Sequence, residues 1–102
     1  MDRIAMLQEA LAQSPKDTFA RYGLAMEYVN RGDTQTALAE FGTLLEANPD
    51  YAAGYQMAAQ TLMKAGRDHE ARAMLEDGIA CAIRIRNQHA RSEMEAMLDE
   101  LR

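Results

Sequence analysis

The chain has 102 residues, 48% hydrophobic and 26% charged, which is the size and composition of one ordinary globular domain. Its 11 basic and 16 acidic residues give a net charge of −5, and the nearest thing to a basic cluster is Arg84, Arg86 and Arg91 with His89. That balance argues against a nucleic-acid partner, which needs clustered Lys and Arg to displace counterions. The single Cys81 excludes an internal disulfide and a four-cysteine zinc site.

The start, MDRIAMLQEAL, has an acid and an amphipathic pattern instead of a basic leader with an apolar run. No window reaches the roughly 18 uninterrupted apolar residues of a membrane span. The expectation is therefore a cytoplasmic protein with no membrane partner. IAMLQEALAQSP reads as one helix. A second is expected from about Thr18 to Arg31, with Phe19, Tyr22, Leu24, Ala25, Tyr28 and Val29 covering much of its circumference. Gly32 stops it, because a left-handed residue closing a helix is cheapest as glycine. Asp33 or Thr34 can then offer an oxygen to the free N–H groups of the next helix. That helix carries Ala37, Leu38, Phe41, Leu44 and Leu45 on one face, spaced by three and four. Asn48-Pro49 ends it, since the residue before proline is pushed out of the helical region. Asp50 is placed to cap the helix after it. The same pattern returns with Gly66, Asp68, Leu75, Gly78 and Ile79. Finally, QHARSEMEAMLDELR reads as a closing helix with Ala90, Met94, Met97, Leu98 and Leu101 on one stripe. The pattern favours a break near Asn87, which can serve as a left-handed helix end, over one helix from about Asp68 to Arg102.

Pro15 and Pro49 are the only two prolines and stand 34 residues apart. A shift of 34 also lays Ala25 on Ala59, Tyr28 on Leu62, Gly32 on Gly66, Ala37 on Ala71 and Phe41 on Leu75. It reaches backwards too, from Phe41 to Leu7. Repetition at such a period means stacked units that bury their faces only against neighbours. Leu24, Ala25, Tyr28, Gly32, Ala37, Phe41 and Pro49 resemble the tetratricopeptide repeat, a helix-turn-helix family, in small bacterial-type members with two to three repeats. Arg21 departs where the family often has Trp, and Leu44 where it has a small residue. The second unit matches with Tyr55, Ala59, Gly66, Ala71, Leu75 and Gly78, and departs at Ala58, Leu62 and Ile83. The resemblance implies an all-α fold, an α-α superhelix with flanking capping helices, as one domain over 1–102. Its parts are a half repeat at 3–15, repeats at 18–51 and 52–85, and a C-terminal capping helix at 88–102.

Catalytic chemistry is hard to assemble. His69 and His89 lie in separate segments and neither belongs to a metal-spaced motif. Asp68-His69-Glu70 sits at a helix start, where acids complement exposed N–H groups. Cys81, beside Ile79, Ala82 and Ile83, suits a small buried hydrophobe. Arg84-Ile85-Arg86 reads as a solvated helix edge. No enzyme activity, cofactor or metal is expected.

What remains is surface. The resemblance implies a concave groove lined by the first helix of each unit, and so a protein or peptide partner. By alignment its lining comprises Phe19, Tyr22, Met26, Val29 and Asn30, then Ala53, Gln56, Gln60, Met63 and Lys64. Ala90, Met94 and Met97 join them if the closing helix continues the series. Such a groove would be rich in methionine, whose flexible, polarizable side chain suits adaptable binding; packing of those methionines inside the stack is the competing reading. Some members of the family clamp the C-terminal carboxylate of chaperone peptides. At the matching places this chain has Tyr22, Met26, Met57, Asn87 and Arg91, four of them of the wrong type for that clamp. The sequence therefore points to a non-enzymatic interaction module or, alternatively, to a self-associating structural unit forming a homo-oligomer.

Overall fold

The computed structural model describes residues 2–102. Six helices succeed one another: α1 Arg3–Gln13, α2 Thr18–Asn30, α3 Thr34–Ala47, α4 Ala52–Lys64, α5 Asp68–Ile85 and α6 Gln88–Glu100. The chain divides into two compact units, one ending at Asn48 and the other spanning Pro49–Arg102. In the first, α1 packs on α2 and α2 on α3; in the second, α4 packs on α5 and α5 on α6.

Short polar residues start four of these helices. Asp2, Asp17, Asp33 and Asn87 accept hydrogen bonds from the N–H groups of Ala5, Ala20, Thr36 and Ala90, each three residues on. Each such cap contributes about 1 kcal/mol. The expected cap at Asp50 is a correction. Tyr51 stands at the N-cap of α4 and makes no side-chain cap bond, while the Asp50 carboxylate accepts from Arg84 at 2.9 Å. A guanidinium is a stronger partner for a carboxylate than a single amide. Arg84 also donates to the Pro49 carbonyl at 3.0 Å, so it fastens the start of the unit and is no idle edge. α5 likewise has no side-chain cap bond, and the acids Asp68 and Glu70 sit in its first turn. Arg67 grips Glu70 with two bonds of 2.7 Å, which holds the Glu70 carboxyl below its usual range.

Three helices end in one bonding pattern. At the end of α2 the Gly32 N–H donates to Val29 and the Asp33 N–H to Tyr28. Gly66 and Arg67 repeat this after α4, and Arg86 and Asn87 after α5. Each motif needs a left-handed residue at its first donor. Gly32 and Gly66 supply it with φ of 76° and 75°. After α5 the break falls where expected, but Arg86 takes the left-handed conformation, φ 60°, and not Asn87. Asn87 is committed to capping α6.

Inside each unit, small residues sit where helices cross. Ala25, Ala37, Ala59 and Ala71 are all 0% exposed, and Phe41 and Leu75 are fully buried beside them. Burying a side chain of that size stabilises by about 1.5–3 kcal/mol. Leu44, a departure from the repeat pattern, is buried as well. An equivalent polar tie recurs within each unit. Arg21 on α2 donates to the Pro15 carbonyl at 3.4 Å, and Tyr55, 34 residues later, donates to the Pro49 carbonyl at 2.9 Å. Arg21 further bonds Glu40 on α3 at 2.9 Å, a cross-helix use for the position where a tryptophan is absent.

A Cβ at Gly32 would meet nothing within 4 Å, so only its positive φ penalises substitution. Gly32→Val should therefore lower the thermal midpoint more than Gly32→Asn, by about 1 kcal/mol in stability, because Asn tolerates that region. Equal midpoints for the two variants would contradict the assigned turn.

Candidate functional site

On α2, Phe19, Tyr22, Met26, Val29 and Asn30 have the spacing of one helical stripe. Phe19 is 80% exposed, the most exposed large hydrophobic residue among the described residues. Tyr22, Met26 and Val29 are half-buried and Asn30 is exposed. The Tyr22 ring meets Phe41 edge-on, with centroids 6.3 Å apart, so it is partly committed to the packing of α2 on α3. Such an aromatic pair adds about 0.5–1.5 kcal/mol beyond the buried area.

On α4 the stripe is Gln56, Gln60, Met63 and Lys64. Gln56 is half-buried and its amide donates to Glu93 on α6 at 2.7 Å, so α6 engages part of this stripe. Farther along, Gln60, Met63 and Lys64 line a recess of about 410 Å³ together with Met97 and Glu100 of α6. Two methionines thus stand between a cation and a carboxylate.

The remaining candidates of the closing helix behave differently. Met94 is 0% exposed and Ala90 is 8% exposed, and both belong to the core of the second unit with Leu75, Cys81 and Ala82. They line no groove. The reason lies at Gly78 on α5. A Cβ there would stand 2.5 Å from the Met94 sulfur and 2.7 Å from Tyr55 Cβ; with only hydrogen in that place, Met94 seats against the backbone of α5. The methionine content is therefore divided. Met94 fills the core, Met74 and Met97 pack against it, and Met97 also borders the surface recess with the half-buried Met63.

Burial pushes the Cys81 thiol above its usual range, which keeps it protonated and unreactive. Among the described residues no three His, Cys, Asp or Glu side chains are grouped to hold a metal ion. Among the described residues no helix is long and apolar enough to cross a membrane. Of the positions matched to the carboxylate clamp, Asn87 is spent on Ala90 and Arg91 contacts Glu95 at 3.4 Å.

Comparison with known proteins agrees with this architecture. The family model described as tetratricopeptide repeat matches residues 28–82. The chain is 30% identical over 95 residues to the TPR repeat-containing protein PA0015 of Pseudomonas aeruginosa, covering 93% of this chain and 90% of that one. It therefore belongs to the tetratricopeptide repeat family, whose fold class is the all-α helical-repeat superhelix. Among solved structures, a tetratricopeptide repeat domain protein of Salinibacter ruber superimposes with a TM-score of 0.80 at 30% identity, covering 85% of this chain and 88% of that one. The TPR2B domain of yeast Sti1, solved in a complex with pHsp70, shares the fold at TM-score 0.88 and 14% identity, covering 96% of this chain and 78% of that one.

Gly78→Ala should destabilise the protein, because the overpacking cost of about 1–3 kcal/mol exceeds the helix-propensity gain of about 1 kcal/mol. Gly42→Ala on α3, where an added Cβ meets nothing within 4 Å, should instead stabilise by about 1 kcal/mol. Denaturant midpoints shifting in the same direction for both would contradict the Gly78 contact.

Proposed function

We propose that this chain is a non-enzymatic protein–protein interaction module that holds peptide or helical segments on a helix stripe of each unit, that of α2 in the first and that of α4 in the second. The observation that carries the reading is where apolar side chains remain exposed or only half-buried. Phe19, 80% exposed, lies on the α2 stripe, and Met63 of the α4 stripe borders an open recess with Met97. Membership of a family of interaction modules supports it. Phe19, Met26 and Met63 would supply apolar contact, with Val29 beside them, while Asn30, Gln60 and Lys64 would bond backbone groups of the bound segment. Gln56 would take part only by exchanging its bond to Glu93, and Tyr22 would add its outer edge while the inner edge stays on Phe41. A chaperone-type carboxylate clamp is not proposed, since Tyr22, Met26 and Met57 offer no cation and Asn87 and Arg91 are engaged locally.

Burial dictates the test. Phe19→Asp combined with Met63→Asp alters one mostly exposed and one half-buried side chain, neither of them fully buried, so helicity by circular dichroism should be retained. Partner recovery in a pull-down should fall at least about tenfold, as expected when an exposed anchor residue is lost from an interface. Recovery equal to the wild type would sink this placement.

A further inference from the structure

Helix α5 carries a second surface that the proposed peptide site does not use. Among the described residues, Ile83 is 51% exposed on it, and apolar residues of that size at a helix surface mark contact sites when they form a continuous patch. Ile83 does so. Glu76, Ile79 and Ile83 succeed one another at spacings of three and four, which places them on one face, and Arg86, the left-handed C-cap residue, stands just past the end of the helix. Beside this face α5 and α6 leave a recess of about 490 Å³, floored by Ile79 and Leu98 and rimmed by Glu76, Glu95 and Asp99. Arg102, the remaining residue of the lining, pairs with Asp99 at 3.6 Å.

The order of these residues is self-complementary. Glu76 and Arg86 lie symmetrically about position 81, and so do Ile79 and Ile83. A second copy of the helix laid antiparallel across the first, with the twofold axis at that level, brings Arg86 of each copy to Glu76 of the other. It also brings Ile83 of each copy over Ile79 of the other, at the mouth of the recess. One patch then meets itself, the arrangement of an isologous dimer. The charges are available for it. The side chains of Glu76 and Arg86 have no ion-pair or hydrogen-bond partner among the described residues, whereas the neighbouring Arg84 is held by Asp50. Parallel pairing would instead set Glu76 against Glu76 and Arg86 against Arg86, and a foreign helix would need to reproduce by chance a charge order this helix already contains.

We infer that the α5 face is a homodimer interface and that its occupant is α5 of a second copy. Multi-angle light scattering and sedimentation on the full chain should show a concentration-dependent dimer. Ile83→Asp should weaken it at least about tenfold with helicity unchanged, because a half-exposed side chain is altered and no core contact is lost. Glu76→Arg alone and Arg86→Glu alone should each weaken the dimer, and the two together should restore it. A wild-type chain that stays monomeric at every concentration overturns the inference. So does a dimer indifferent to Ile83→Asp, or a double reversal that fails to recover association. Phe19→Asp with Met63→Asp should leave the dimer intact, which separates this surface from the proposed peptide site.

Discussion

Gly78 is the constraint on which the second unit depends. Without a Cβ, α5 presents bare backbone at one point, and the Met94 sulfur and the Tyr55 side chain close on it from two other helices. Met94 carries α6 into place. Once α6 is seated, Gln56 finds Glu93, Arg72 reaches the Leu101 carbonyl at 2.7 Å, and Met97 and Glu100 come beside Met63 and Lys64. The recess on α4 thus follows from the way Met94 seats α6 against α5. A residue with no side chain decides where that recess forms.

The first unit reaches the same end with different parts. Its α2 is covered by α1 through Leu7, Leu11, Leu24 and Tyr28 and by α3 through Tyr22, Phe41 and the Arg21–Glu40 pair. That leaves the α2 stripe uncovered at Phe19. Exposed ion pairs such as Arg67–Glu70 and Arg91–Glu95 add little to either unit, since such pairs contribute about 0–1 kcal/mol each. Stability comes from alanines that let helices approach and from the apolar residues between them.

Much of this architecture was legible in the sequence because it repeats. The 34-residue shift located the alanines at the crossings, the two glycine turns and the proline seam, and each is a local requirement that one residue type satisfies. What escaped was whatever depended on a partner far along the chain. Asp50 looked like a cap because its own neighbourhood asked for one, but Arg84 outcompetes an amide for it. The groove assignments of Ala90 and Met94 failed for a related reason. Their buried counterparts on α4 are Gly54 and Ala58, 36 residues earlier, because the chain takes two extra residues where α5 runs on before Arg86. That slip in register turns Met94 toward Gly78. Gly78 was recognised as a small residue in a repeat pattern, while the side chain that fills the space belongs to another helix. The stripes of α2 and α4 were legible as faces, though their engagement with Phe41 and Glu93 was not.

The central claim is that α6 is an integral layer of the second unit, fixed by Met94 in the space Gly78 leaves. Amide hydrogen exchange of the native chain, resolved along the sequence, tests it most directly. Protection in the middle of α6, around Met94, should match that of α4 and α5, with all three helices of the unit opening together. Exchange of α6 at the rate of an unfolded segment, while α4 and α5 stay protected, would contradict it.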